Sequence, residues 1–282
     1  IGLDYSVLNG RISGVLDFYT SRTTDLLMAM TIPSLNGYTN TYANVGKTSN
    51  IGVDITLNTV NVKTRDFEWS TSINAAWQKD KIDELANGKE DDINNNWFIG
   101  QALGVIYGYE CGGLWKEEDA AEMAKFNAKG HSFQAGMVRP IDQNGDYKID
   151  PNDDRVIIGH TRPRWTFGMT NTFTYKNFRL NVTLSYSLGA KTRLFKLFDN
   201  QNFNPEQNVN RAFLKRWQRP GDEMYTDIPV IINGGNRTYD IHWSKYSDLL
   251  PSFGGSAWEM YNYSNIRIVS ANYLKCTTMS LT

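Results

Sequence analysis

The sequence predicts an all-β fold, an antiparallel transmembrane β-barrel fragment whose long extracellular loops carry short helices. Three observations predict it. Apolar and polar residues alternate over runs of about 10–12 residues, where strands average about 5–6 and tilted membrane-crossing strands need roughly 9–11. Aromatic residues stand near the ends of these runs, as they do at the two interfaces of a barrel. Tight turns alternate with very long connections, the asymmetry of short periplasmic turns and long outer loops.

Taken in order, RISGVLDFYT puts Ile12, Leu16 and Phe18 on one side, and Asn9-Gly10 before it is a two-residue hairpin signal. In IGVDITLN, Ile51, Val53, Ile55 and Leu57 oppose Gly52, Asp54, Thr56 and Asn58. In FEWSTSINAAWQ, Phe67, Trp69, Ile73, Ala75 and Trp77 oppose Glu68, Ser70, Ser72, Asn74 and Gln78, after a tight turn at Thr64-Arg65-Asp66. WKEEDAAEMAKFNAKG, 115–130, predicts a surface helix, its acidic start suiting the positive N-terminal end and Gly130 its stop. WTFGMTNTFTY aligns Trp165, Phe167, Met169, Phe173 and Tyr175, with Asn171 as the one misfit. Across the Lys176-Asn177 turn, FRLNVTLSYSL sets Phe178, Leu180, Val182, Leu184, Tyr186 and Leu188 against Arg179, Asn181, Thr183, Ser185 and Ser187. PEQNVNRAFLKRWQRPG, 205–221, predicts a second helix with Val209, Phe213 and Trp217 in one stripe. Alternation alone favours a soluble sandwich, whose half-buried strands give the same pattern. The connections, approximately 23–49, 80–164 and 190–265, favour the barrel, because compact sandwiches seldom tolerate structureless loops beyond about 12–15 residues.

Composition bounds the function. A net charge of −1 gives no basic footprint for nucleic acid. Cys111 and Cys276 make no disulfide framework. No run approaches the roughly 18–20 apolar residues of a transmembrane helix. Aromatics reach 13%, with 15 Tyr and 8 Trp. The chain opens at Ile1 without a starter Met or signal peptide, which predicts a fragment or processed piece. His131 and His160 stand in polar loop sequence, and His242 has Asp240, Ser244 and Asp248 near it in sequence. With no nucleophile elbow and no HExxH pattern, no enzymatic activity is expected.

DQNGDYKIDPNDD, 142–154, spaces oxygen-bearing side chains as a calcium loop does. Asp142, Asn144, Asp146, Asp150 and Asp153 fall at positions 1, 3, 5, 9 and 12, with the Lys148 carbonyl at 7. Gly145 stands at position 4, however, and Tyr147 occupies position 6, where an EF-hand has Gly. A turn built of Asx-formers and Gly reads the same way. Structural calcium is the expectation for this loop, with no catalytic cofactor.

The order GLDYSVLNGRISGVLDFYTSRTTDLLM, NVGKTSNIGVDITLN, TRDFEWSTSINAAWQKDKI, WFIGQALGVIYGYECGGLW, DQNGDYKIDPNDDRVIIG, WTFGMTNTFTYKNFRLNVTLSYSLG and SNIRIVSANYLK resembles the SusC/RagA-type TonB-dependent outer-membrane transporters over nearly the whole chain. The resemblance implies that residues 1–282 are part of the C-terminal domain of a 22-stranded barrel, without the plug, the N-terminal extension or the final strands. It implies a multi-pass location in the outer membrane of a Gram-negative cell. It also implies a SusD-like surface lipoprotein as lid and import of oligosaccharides, peptides or other large nutrients powered through TonB-ExbB-ExbD. Loop aromatics would then stack on cargo, with Trp97, Tyr107, Tyr109, Trp115, Trp243 and Trp258 as candidates, and Asp54, Asn58, Glu68, Asn74, Arg179 and Asn181 would line a hydrated lumen. The alternative is a secreted calcium-dependent carbohydrate-binding β-sandwich module, which would bury the apolar strand faces against a second sheet.

Overall fold

The computed structural model describes residues 1–31, 40–86, 88–93, 95–131, 133–150, 152–197, 208, 210–230 and 257–282. Four strands come first: β1 (Gly2–Val7), β2 (Ile12–Thr31), β3 (Asn40–Lys63) and β4 (Phe67–Glu84). An insertion then holds β5 (Val105–Tyr109), β6 (Cys111–Leu114), α1 (Ala120–Ala128), β7 (Val138–Pro140) and β8 (Arg155–His160). The chain returns as β9 (Trp165–Tyr175) and β10 (Phe178–Leu188). A second insertion holds β11 (Lys191–Arg193), α2 (Ala257–Tyr263) and β12 (Ile268–Ser270), before β13 (Tyr273–Leu281). Two compact units result: Ile1–Val105, His160–Lys191 and Ser270–Thr282 form one, Ile106–Gly159 and Thr192–Val269 the other.

The first unit is a seven-stranded sheet in the order β1-β2-β3-β4-β9-β10-β13, antiparallel at each junction. Each insertion leaves the sheet between strands that are themselves paired, β4 with β9 and β10 with β13. Turn chemistry sets the register. Asn9 and Gly10 both adopt positive φ, and Arg11 N–H donates to the Leu8 carbonyl at 3.2 Å, so Val7 meets Ile12. Lys176 at φ 51° makes the two-residue turn that sets Tyr175 opposite Phe178. Because side chains alternate with period two, this register gathers the apolar positions of all seven strands on one face. Phe18, Val53, Trp77, Trp165 and Leu188 form one cross-strand row. Eight residues away along β4, Trp69, Phe173 and Leu180 form another. Gly52 interrupts no apolar run; it lies on the polar face opposite Tyr19, whose ring occupies the space a Cβ would need.

Three expectations are corrected. The first strands are longer than 10–12 residues: β2 has 20, β3 has 24 and β4 has 18. Most of the connection expected at 23–49 is therefore strand, because the β2–β3 ladder continues to Thr31 and Asn40 through irregularities near Thr23 and Leu26. The helix expected over 205–221 is, among the described residues, only a 3-10 turn at Arg211–Lys215, capped by the Asn210 side chain, with Val209 outside the described residues. Thirdly, no second sheet lies against the apolar face among the described residues of this unit, and Leu3, Phe178 and Leu281 remain 60%, 64% and 69% exposed. That is not the packing of a sandwich, which would bury them.

The second unit has its own core of Tyr109, Trp115, Phe126, Phe133, Ile149 and Met260, among others. The helix expected at 115–130 is present as a 3-10 turn, Glu117–Asp119, leading into α1. Asp119 accepts from the Lys116 N–H at 3.0 Å, and Gly130 ends the segment at φ +104°. Met123 and Phe126, three residues apart, are its buried side.

Candidate functional site

The sheet offers two chemically distinct surfaces. On the polar one, hydroxyls and amides of neighbouring strands bond laterally: Thr56 Oγ1 donates to Asn74 Oδ1 at 3.1 Å, and Thr172 Oγ1 to Asn181 Oδ1 at 2.9 Å. Thr170 and Thr183 pair at 3.2 Å. These groups present hydrogen-bond donors and acceptors together on one face of the sheet. Asp54, Asn58, Glu68, Asn74, Arg179 and Asn181 all occupy this side of the register.

On the apolar surface the misfit Asn171 is not left stranded. Its Oδ1 accepts from Trp69 Nε1 at 3.0 Å and from Thr71 Oγ1 at 2.8 Å, while Asn61 Nδ2 donates to Thr71 Oγ1 at 2.7 Å and Thr59 Oγ1 to Asn61 Oδ1 at 2.8 Å. Thr71 and Asn171 are both buried. Buried polar groups need partners within the protein, and this chain of bonds supplies them. The alternation in β9 marked Asn171 alone; its partners Trp69 and Thr71 come from β4, 102 and 100 residues away in sequence.

The 142–154 loop is wired through its own backbone. Asp142 accepts from the N–H groups of Gly145 at 2.8 Å and Tyr147 at 2.7 Å, Asn144 from Asp146 at 3.0 Å, and Asp146 from Lys148 at 2.7 Å. Tyr147 takes φ +63°, the left-handed conformation that a glycine would adopt freely. Its ring makes an edge contact with Phe126 and lies under Lys125 Nζ at 5.0 Å. Asp154, not Asp153, is the fully buried carboxylate, and it accepts from Gln143 N–H at 2.8 Å and Asp150 N–H at 2.6 Å. Burial lifts its carboxyl above the usual range, against these two donors, and the charges of Asp142 and Asp146 push the same way as burial. Asp150 goes the other way, held low by the Asn152 N–H and by Lys148 at 3.2 Å. Among the described residues, no three His, Cys, Asp or Glu side chains come together as an ion-holding group.

His131 differs from its expected place in open loop. It is buried, stacks on Phe133 at 5.1 Å between centroids, and accepts the Ile149 N–H at 3.1 Å, joining the end of the α1 segment to the aspartate loop. Nothing in the local sequence distinguished it.

The aromatic candidates separate by burial. Tyr109 and Trp115 are 0% exposed, so they are core residues and not a stacking surface. Burial also pushes the Tyr109 phenol well above its ordinary range. Tyr107 is half-buried with Arg155 over its ring at 4.9 Å, and half-buried Trp97 bridges to Asp92. Trp258 lies in α2, its side chain outside the described residues, and Trp243 lies outside them altogether, as do Asp240, His242, Ser244 and Asp248.

Known proteins share this arrangement. No family model matches the chain. TonB-dependent receptor P3 of Formosa agariphila is 30% identical over 211 residues, 71% of this chain and 21% of that protein. TonB-dependent receptor SusC of Bacteroides thetaiotaomicron is 30% identical over 198 residues, 66% of this chain and 18% of that protein. The chain thus spans about a fifth of the length of the curated relatives it matches. A solved structure of the RagAB peptide transporter superposes with a TM-score of 0.69 at 21% identity, covering 99% of this chain and 28% of that one.

Proposed function

Because this chain belongs to the SusC/RagA-type TonB-dependent receptors, we propose that it supplies part of the wall of an outer-membrane pore that imports large nutrients, oligosaccharides or peptides. The observation that carries the reading is the pair of opposed faces on one continuous seven-stranded sheet. The apolar face meets lipid, the polar face lines the aqueous lumen, and the turns at Leu8–Arg11, Thr64–Asp66 and Lys176-Asn177 lie on the periplasmic side. The two insertions then lie outside the cell, where a SusD-like lipoprotein meets them, and TonB supplies the energy of import.

In the protein at its native length, the reading predicts enrichment in the outer-membrane fraction and a gel band whose mobility changes on boiling in detergent, as a closed barrel unfolds. A soluble protein with one mobility would overturn it.

Calcium binding at 142–154 belongs to the same proposal. The spacing of its oxygens and the left-handed backbone at Tyr147, the sixth position, support it. Asp142, Asn144 and Asp146 would have to exchange backbone N–H donors for the ion, which predicts weak binding, about 10⁻⁴–10⁻³ M as in extracellular modules. Calorimetry with calcium should release or absorb heat in that range. A flat trace up to about 10 mM would remove calcium from the loop's role.

A further inference from the structure

We propose that the lipid-side face of β2, β3 and β4, just beyond the aromatic row, is a docking surface for a phosphorylated lipid headgroup, held by Arg22, Lys79 and Lys81. The inference rests on the reading above, that the apolar face of the sheet lies against lipid.

The register supplies the argument. Phe18, Val53 and Trp77 stand in one row; two residues farther along, the partners are Thr20, Ile51 and Lys79; two farther again, Arg22, Ser49 and Lys81. Alternation keeps all three rows on one face. Along β4 this face therefore reads Ala75, Trp77, Lys79, Lys81, a change from apolar to cationic in a single step. At ~3.3 Å per residue, Lys79 stands about 7 Å and Lys81 about 13 Å beyond the aromatic row. A strand tilt of ~40° reduces these to heights of about 5 and 10 Å. Aromatic girdles mark the edge of the hydrocarbon, and the headgroup layer is about 5–8 Å thick per leaflet. The cations therefore stand at and just above headgroup depth, on the side away from the tight turns.

The charges there are available. Arg22, Lys79 and Lys81 are exposed. Among the described residues Arg22 and Lys79 form no ion pair, and Lys81 meets Asp83 at 3.1 Å. The other nearby carboxylate, Glu84, is held by Lys47 at 2.6 Å. Arg22, Ser49, Lys81 and Lys89 line one surface depression together with Asp83 and Glu84, so three cations and two carboxylates border the same concavity, and each carboxylate is already engaged by a lysine. Phosphate oxygens match that donor set, Arg through paired N–H groups and Lys as point charges. Asp83 already offsets Lys81, so a neutral headgroup would leave Arg22 and Lys79 as the cations with no ion pair among the described residues.

The test uses the protein at native length in lipid nanodiscs, with binding of a bis-phosphorylated lipid A and of its dephosphorylated form read by native mass spectrometry. Each basic residue near a charged bilayer surface is worth about fivefold in binding. The R22Q/K79Q/K81Q variant should therefore lose at least about 25-fold for the phosphorylated probe and little for the other. The R22K/K79R/K81R variant should retain its binding. Equal binding by wild type and the glutamine variant would overturn the proposal. So would equal losses for both lipids, which indicate apolar packing, or full displacement by inorganic phosphate, which indicates a free-anion site. If the triple variant misfolds, R22Q and K79Q singly carry the test at about fivefold each. A boiling-dependent mobility shift in the same samples separates the two levels: with the shift and no lipid effect only this inference falls, and without the shift in wild type the pore reading falls first.

Discussion

Replacing Trp115 with alanine is expected to destabilise the second unit by about 3–5 kcal/mol, the cost of emptying a fully buried aromatic site. The indole is surrounded by Phe126 at 5.7 Å and Phe133 at 5.4 Å between centroids, with the Arg139 guanidinium over its face at 4.8 Å. Its backbone is also tied down, donating to Met137 at 2.8 Å and accepting from Gly136 at 2.7 Å, so the cavity cannot close by a simple chain shift. The indole Nε1–H has no acceptor among the described residues. Phenylalanine at this position should therefore cost much less, because it removes a buried unpaired donor while keeping most of the ring. Limited proteolysis of the native-length protein reads the difference: cleavage between residues 106 and 159 should rise steeply in Trp115→Ala and modestly in Trp115→Phe. Equal resistance in all three proteins would show that this core does not hold the unit together.

Arginine at Leu184 should oppose membrane insertion by about 2–4 kcal/mol, whereas arginine at the adjacent Ser185 should cost little. Leu184 pairs with Met169, which pairs with Ile73, and this row lies midway between the Trp77 and Trp69 rows. Those two rows are eight residues apart, about 26 Å along the strand at ~3.3 Å per residue and about 20 Å in height at a ~40° tilt. The substituted charge would thus sit near the middle of an apolar band about 25 Å tall. Ser185 belongs to the polar face, where a charge stays hydrated. Urea titration of the protein folding into lipid vesicles would measure both, and matching losses would reverse the assignment of the two faces.

The sheet was legible because its signal is local. Period-two alternation at Ile51–Leu57, Phe67–Trp77 and Phe178–Leu188 depends only on neighbours, and it survives as the observed register. What alternation missed depends on distant partners. Residues 24–31 and 40–48 lack clean alternation, yet they continue as strand because each supplies the other's ladder. Asn171 looked like an error until Trp69 and Thr71 were beside it. The loop aromatics gave no sign of burial: Tyr109 stands between Gly108 and Glu110, Trp115 is followed by the charged run Lys116–Asp119, and only the folded second unit reveals them as core. Asp154 was overshadowed by Asp153, because a spacing rule counts along the chain and cannot see which carboxylate turns inward.

The pairing of β5 with β8, and of β11 with β12, has a kinetic meaning. Joining β4 to β9 requires closing about 80 residues, against two for the β9–β10 turn, an added entropic cost of about 3 kcal/mol. Once β5 and β8 zip together, backed by the Thr161 N–H donating to the Gly104 carbonyl at 2.8 Å, only about 25 residues remain to be closed. The second excursion shortens further. With β11 on β12 and the Ala271 N–H donating to the Ala190 carbonyl at 2.9 Å, β10 and β13 are separated by little more than a hairpin's length. Each excursion is thus clasped at its base, and the search for strand register proceeds as though the chain were a meander of short turns. An insertion that doubled in length beyond its clasp would add only about 0.6 kcal/mol to forming that clasp, and the remaining closure of the sheet would be unchanged.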